Sequence, residues 1–410
     1  MYGHKNSKSA GNSVFGQLIS LIPREKVSRV IQEYKSDRYV KRFRTWDHLI
    51  VMLFSALSAS SSLRELESGL AGYNKALLHL GLKSLPRRST ISDANSRRDA
   101  KVFERIFKII YERVRPFLPD SYPKNQQWMK KLFLVDSTTI TLFKEIMKAA
   151  GRTPANGKRK GGVKINVGMH LSENVPSVVR ITNAATQDRL FMVKFMDIES
   201  GTILVFDKAY VNYKLYNHWT KNNVSFVTRL HKSSVVNVIE EKVVSIEQQK
   251  EGVYRELIVD LGHEKQEEKV RCRLIYYFDI EKGKVFKFIT NNMELATSQI
   301  AQIYKQRWQV EILFKRLKQN LQLSDFLGDN ENAIRIQIWC NLITDLLLTI
   351  IRKGIRKKKA YSIVATLIRL HLMHYVAISD LLLTPGDPSI FAQYRHDIPT
   401  QMAIKFQIPP

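Results

Sequence analysis

Cysteine is almost missing. Cys272 and Cys340 are the only two in 410 residues. They lie far apart, so the chain has neither a disulfide framework nor the paired spacing of a zinc site. That usage fits a reducing cytoplasm. Acidic residues are also short, with 38 Asp+Glu against 65 Lys+Arg and a net charge of +27. The basic excess is spread along the chain rather than gathered in one tail, which selects a polyanionic partner, nucleic acid first. An anionic membrane surface would need a basic amphipathic helix standing clear of a core, and none is evident. Long apolar runs are lacking too. The longest, Leu342 to Ile351, is interrupted by Asp345 and falls short of the roughly 20 residues that cross a bilayer. It reads as a buried helix, and the opening Met1-Tyr-Gly-His-Lys lacks the apolar core of a signal peptide. No internal repeat is evident.

A chain of this length makes about two to four domains. Residues 1–125 read as a helical N-terminal domain. Trp46 to Leu57 is an apolar helical run, and Ser62-Leu-Arg-Glu65 matches a capping box. Pro86 then breaks the chain, Thr90 caps a helix with Asp93 in its first turn, and Arg87, Arg88, Arg97 and Arg98 flank it. A turn and a capped helix with arginines on both sides resemble the recognition half of a helix-turn-helix; a structural hairpin with a basic rim reads equally well.

From about residue 130 strands and helices alternate. Lys131–Ile140, Val163–Leu171 and Ser177–Thr182 read as three antiparallel strands. Ile203–Asp207, a helix over Tyr210–Asn222 and Val224–Arg229 form a strand–helix–strand unit. The fold class is α/β, with a mixed sheet flanked by helices. The core is expected to run over residues 126–232 and 285–375. It is interrupted at 233–284 by a β-rich insertion with strands at Val235–Val238, Val243–Ile246, Tyr254–Val259 and Val270–Phe278. Val285–Asn292 is a further strand; Ala333–Arg352 and Ala360–Ile378 are apolar helices, with a basic knot at Arg352–Lys359 between them. Residues 376–410 form a tail without a readable role.

Two strands end in aspartate after an apolar run, Leu132-Phe-Leu-Val-Asp136 and Ile203-Leu-Val-Phe-Asp207. A strand buried on both faces has little reason to end in charge unless that end opens onto a site. Carboxylate oxygens suit hard Mg²⁺, and paired ions about 3.5–4 Å apart serve phosphoryl transfer. A third carboxylate comes from the segment Tyr304 to Lys318. At about 100° per residue, Tyr304, Arg307, Glu311 and Lys318 share a stripe about 60° wide, opposite Ile303, Val310, Leu313 and Leu317. A solvated face with i,i+4 ion pairs is the alternative for the helix alone.

These blocks resemble the insertion-sequence transposases of the type-four family, a branch of the DDE transposases. Tyr304, Arg307, Glu311 and Lys318 match the family's Y-(2)-R-(3)-E-(6)-K signature at every spacing. Leu134-Val-Asp136-Ser-Thr resembles its first-aspartate block, and Asp207-Lys-Ala-Tyr210 its second. The likeness covers roughly residues 130–375. It implies an RNase H-like catalytic core and cut-and-paste DNA transposition: end cleavage, a hairpin intermediate, then strand transfer. It further implies that Asp136, Asp207 and Glu311 bind two Mg²⁺ ions, with Mn²⁺ as a substitute, and that Tyr304, Arg307 and Lys318 contact DNA-end phosphates. Lys315, Trp308 and the four arginines around Pro86–Arg98 complete the expected DNA-binding set. Trp308 lies off the apolar stripe and is expected to pack on the insertion, with stacking on a displaced base as the other option. The expected partners are double-stranded DNA, as terminal inverted repeats and target, and a second copy of the chain; the expected location is the bacterial cytoplasm, on the nucleoid when DNA is bound. Where the family often places a histidine before an aspartate this chain has Thr186-Gln187-Asp188; Asp188 sits in a loop with no apolar strand before it, so Asp207 is preferred. His371 and His374, three apart with no cysteine near, are expected to be structural. A nuclease of the same fold and a silent DNA-binding regulator are the competing functions.

Overall fold

In the computed structural model, residues 13–392 are described, apart from 74–76, 78–79, 81, 83, 143–160, 263–268, 324 and 356–358. Helices α1 (Val14–Ser20), α2 (Arg24–Glu33), α3 (Thr45–Ser58), α4 (Leu63–Gly72), α5 (Arg88–Arg97) and α6 (Ala100–Val114) come first. Helix α3 is buried from Thr45 to Leu57 except at half-buried Trp46, as its apolar run requires. The Ser62 hydroxyl caps α4 by accepting from Glu65 N, while the Glu65 carboxylate returns to Ser61 N at 2.9 Å, one residue earlier than a capping box would place it. Helix α5 corrects the sequence reading. It begins at Arg88, with Arg87 as its N-cap and no side-chain cap, so Thr90 lies inside it. The chain turns helical directly after Pro86, and Asp93 pairs with Arg97 at 2.6 Å instead of serving the first turn.

The sheet follows: β1 (Leu132–Thr141), β2 (Gly162–His170), β3 (Val178–Asn183), β4 (Ile203–Phe206), helix α7 (Tyr213–Lys221) and β5 (Ser225–Arg229). Strand β2 runs antiparallel to β1 and β3, whereas β1, β4 and β5 are mutually parallel. The order β3-β2-β1-β4-β5 with only β2 reversed is the RNase H-like arrangement. Side chains alternate across it. Leu132, Leu134, Ile203 and Val205 pack with the large helical core, while Phe133, Val135, Leu204 and Phe206 pack with Tyr216, Trp219 and Phe226 on the other face. A Cβ at Gly168 of β2 would come within 2.9 Å of the Phe133 and Phe195 rings, so only glycine fits where those rings cross the strand.

Strands β6 (Val236–Lys242), β7 (Val253–Leu261), β8 (Val270–Asp279) and β9 (Lys284–Thr290), with the short helix α8 (Ile246–Lys250) between β6 and β7, complete one nine-stranded sheet. The insertion is therefore no separate layer. Strand β9 pairs antiparallel with β5, and β8, β7 and β6 extend outward from it as hairpins. The strand expected at Val243–Ile246 is replaced by α8, because Ser245 and Gln248 cap each other's backbone N–H. Edge strand β6 is largely exposed and carries Glu240, Glu241 and Lys242, charges that discourage further strand pairing.

Helices α9 (Thr297–Gln306), α10 (Trp308–Asn320), α11 (Glu331–Gly354), α12 (Tyr361–Leu370), α13 (Ile378–Leu383) and α14 (Ser389–Ala392) close the chain. The helix expected over Ala360–Ile378 stops at Leu370. The carbonyls of Leu372 and His374 accept instead from Phe15 N and Val14 N, and Gln17 bridges to Val376 and Ile378, so this stretch unwinds to hold α1. Among the described residues α11 is the one single helix long and apolar enough to cross a membrane, yet 83% of its apolar window is buried inside the fold. Within it Asp345 is fully buried and takes a two-pronged ion pair from Arg316 of α10, at 2.7 and 2.8 Å.

Removing one partner of a buried ion pair strands the other charge, at a cost of about 3–5 kcal/mol. Asp345→Asn should therefore lower the free energy of unfolding by about that amount in urea titrations. The apolar pair Arg316→Met with Asp345→Leu should recover most of the loss. Equal instability in both variants would show that the pair itself is not the source.

Candidate active site

Strands β1 and β4 lie in parallel register with Val135 opposite Phe206. The residues that follow, Asp136 and Asp207, therefore emerge at neighbouring positions. Alternation sets their direction: since Leu134 and Val205 face the helical core, the next side chains on that side belong to Asp136 and Asp207. Helix α10 packs its Val310, Leu313 and Leu317 into the same core, which brings Glu311 to that face.

The segment read as one continuous helix is two. Arg307 N donates to Tyr304 O, and Val310 N to Arg307 O, three-residue spans that tighten the chain and part α9 from α10 at Arg307. From that break the Arg307 guanidinium hydrogen-bonds the Asp136 carboxylate through Nη1 and reaches Glu311 through Nη2 at 2.5 Å. One cation thus bridges two of the three carboxylates. The third, Asp207, is held by Arg229 of β5 at 2.6 Å and also caps the turn after β4 by accepting from Ala209 N. Arg229 carried no signal in the sequence beyond ending a strand beside β4. Among the described residues no three acidic, histidine or cysteine side chains close on one point as a ligand cluster; the carboxylates share one region but are gathered onto arginines.

Burial pushes the Asp136 carboxyl up to about 6 despite the opposing Arg307, with Asp207 and Glu311 adding to the rise. Burial works against the Arg307 cation, but Asp136, Tyr304 and Glu311 outweigh it and hold its pKa above the ordinary value. Tyr304 is buried, with its ring between two guanidiniums, Arg229 at 5.6 Å and Arg307 at 5.8 Å. Its hydroxyl has no hydrogen-bond partner among the described residues, and burial, reinforced by Asp207, raises its pKa. Lys318 donates to Thr138 of β1 at 2.8 Å, and burial lowers its pKa. All four residues of the helix stripe thus stand along β1 and β4.

Other expected residues separate. Lys315 is exposed on α10, and Arg87, Arg88 and Arg97 are exposed on α5. Arg98 is not available to DNA. It is 6% exposed and donates to Thr45 Oγ1 and to the Phe43 carbonyl. Trp308 is 58% exposed rather than packed away. It rims an open cleft of about 680 Å³ beside Phe286, Phe288 and Tyr304, on the side of the helix away from the apolar stripe. Asp188 lies near the site, accepting from Ser137 Oγ at 3.0 Å, but buried Lys164 neutralises it at 3.1 Å. His371 and His374 face each other with Nδ1 atoms 3.2 Å apart, and among the described residues they belong to no group of three His, Cys, Asp or Glu side chains.

Residues 127–344, more than half of the chain, match the family described as transposase DDE domain. The chain belongs to that family. Residues 10–83 match a second family, a domain of unknown function, DUF4372. The transposase is 29% identical over 272 residues to putative transposase y4zB of Sinorhizobium fredii, covering 65% of this chain and 71% of the relative. It is 26% identical over 273 residues to a putative transposase for insertion sequence element IS4SA of Synechocystis, covering 64% and 71%. It is also 26% identical over 225 residues to a probable transposase for element IS5377 of Geobacillus stearothermophilus, covering 55% and 58%. The protein is a DDE-type DNA transposase of the insertion-sequence kind, and membership implies dependence on a divalent metal.

The bridge makes a test of the metal-free transposase. A carboxyl pKa raised by folding favours the folded state at low pH, and that benefit is lost as pH rises through about 6. Without Arg307 the cost of ionising Asp136 grows. In EDTA, Arg307→Gln should be destabilised by about 3 kcal/mol at pH 8, the low end of the range for a broken pair, and by much less at pH 5. Urea midpoints at the two pH values check this; a deficit independent of pH would mean that Arg307 does not compensate these carboxylates.

Proposed function

We propose that this transposase moves its element by cut-and-paste chemistry and that Asp136, Asp207 and Glu311 hold the divalent cations, two Mg²⁺ ions with Mn²⁺ as a substitute. One observation carries the reading: Asp136, midway along β1, and Asp207, just past the end of its parallel neighbour β4, face a helix whose glutamate reaches Asp136 through a single arginine. The donors fit the group. They are all carboxylate oxygens, as hard cations prefer, and guanidiniums already stand where positive charge is required. Bound cations would activate the attacking oxygen and stabilise the leaving one.

The remaining steps fall to the chain's own side chains. In this reading a water oxygen attacks a phosphorus at the element end and a 3′-hydroxyl departs. That hydroxyl then attacks a phosphorus of the opposite strand, expelling the flanking 3′-hydroxyl to close a hairpin; water reopens the hairpin and restores the 3′-hydroxyl, which attacks a target phosphorus and displaces a target 3′-hydroxyl. With cations held by the carboxylates, Arg307 would be free to offer its fork to a phosphate, and Lys318 would supply a second positive charge. Tyr304, with an unspent hydroxyl between two guanidiniums, can donate to a phosphate oxygen. Trp308 presents an exposed ring for stacking against an unpaired base. The substrate is double-stranded DNA, and holding two ends together calls for a homodimer.

Asp136→Asn, Asp207→Asn and Glu311→Gln should each reduce Mg²⁺-dependent cleavage of inverted-repeat ends by about 10²–10³-fold or more, while DNA binding in EDTA persists. Precleaved ends supplied with target plasmid should yield joined product. Cleavage without joining would mark a nuclease, and binding with neither would mark a silent regulator.

A further inference from the structure

Between α2 and α3 the chain makes a loop, Lys35-Ser-Asp-Arg-Tyr-Val-Lys-Arg-Phe-Arg44, that the catalytic reading leaves unused. Its five cations, Lys35, Arg38, Lys41, Arg42 and Arg44, are all exposed, and none enters an ion pair among the described residues. Two neighbouring acids are engaged beneath the loop: Asp37 accepts from Thr45 N and Thr45 Oγ1, both at 2.7 Å, and Asp47 accepts from Arg44 N. At the surface Asp99 accepts from Lys101 N, Asp93 pairs with Arg97, and Glu33 is exposed. The five loop cations outnumber these three exposed acids, so the outward field is positive.

The loop is also built rather than loose. Ser36 Oγ hydrogen-bonds Thr45 Oγ1 at 2.7 Å, and buried Arg98 reaches under the loop to Thr45 Oγ1 and the Phe43 carbonyl. At its tip Tyr39 is 87% exposed and adopts a φ of 63°, a left-handed conformation that a bulky residue keeps only where surrounding structure imposes it. Arg38 lies against the Tyr39 ring at 4.8 Å and donates to its hydroxyl at 2.9 Å. Open clefts of about 610 and 760 Å³ flank the loop, and Lys35, Arg38, Lys41 and Arg42 line both.

We infer that the Lys35–Arg44 loop is a backbone-gripping site for duplex DNA, its cations taking phosphates in the two clefts while Arg98 acts beneath it as a strut. Rigidly presented arginines suit phosphate oxygens because their donors are already oriented. This site rests on the reading of duplex DNA as substrate but requires nothing of the catalytic carboxylates, so the two can be separated.

The test is binding of the full chain in EDTA to a short fluorescein-labelled duplex of mixed sequence, by anisotropy across a salt series. Each lost phosphate contact lowers the slope of log affinity against log salt by about 0.9. Lys41→Gln/Arg42→Gln/Arg44→Gln should lose about two to three in slope and at least about tenfold in affinity at low salt, and Arg42→Gln alone about one in slope. The equal charge change Lys124→Gln/Lys130→Gln/Lys131→Gln should cost less than about threefold. Equal losses in both triples would reduce the effect to net charge and overturn the site. So would an unchanged slope in the loop triple with a native circular dichroism spectrum. If the parent cleaves and binds DNA while the loop triple matches it, only the loop assignment falls; if the parent binds no duplex, the substrate reading falls with it.

Discussion

The position of Glu311 depends on a charge pair with no part in chemistry. Arg316 lies five residues beyond Glu311 on the same helix, and its guanidinium is committed to fully buried Asp345 on α11 and to the Asn174 carbonyl after β2. Apolar contacts from Val310, Leu313 and Leu317 would tolerate small rotations of α10, because dispersion has little directional preference. A two-pronged bond to a single carboxylate does not. It fixes both the rotation and the axial position of the helix, and thereby the reach of Glu311 towards β1. An ion pair this deep contributes little net stability; its consequence is geometric.

The site itself is a problem in charge. Burial raises the proton affinity of Asp136, and Asp207 and Glu311 lie close enough to add to the rise. The chain answers with Arg307 and Arg229. The same guanidiniums have the shape that recognises phosphate. In the proposed mechanism, internal pairing without cations and phosphate recognition with them would be alternative states of one set of groups, with the overall basic excess keeping a polyanion close.

What was readable in the sequence follows from the range of the interactions. The strand–aspartate blocks stood out because strands buried on both faces give unbroken apolar runs, and a charge at the end of such a run has to be explained locally. The core assignment of Ile303, Val310, Leu313 and Leu317 held because a helical period is local too. The break at Arg307 was hidden, since no helix-breaking residue marks it, and the partner of its side chain, Asp136, lies 171 residues away. The sheet extension was hidden for the same reason: β9 joins β5 only by long-range pairing, while the hairpins beyond it look alike whether free or docked. Asp345 did leave a trace, as the one charge interrupting the longest apolar run, but its partner could not be chosen from the sequence. Arg98 was misread because one arginine among four looks the same whether it props a loop or faces solvent.

These pieces form one mechanical series. The loop at Lys35–Arg44 hangs on Thr45, the first residue of α3, and on Arg98 at the end of α5. Both helices pack on α11, Asn332 of α11 binds the carbonyls of Asn95 and Arg98, and Asp345 of the same helix sets α10. A surface that grips DNA at the loop would thus be held at a fixed distance from Glu311 by helices and buried polar bonds rather than by a linker. Nothing in this series needs to move to couple the two ends. The coupling is positional: a duplex held at one end can present only one stretch of backbone at the other, and length along the DNA becomes a way to choose the bond that is cut.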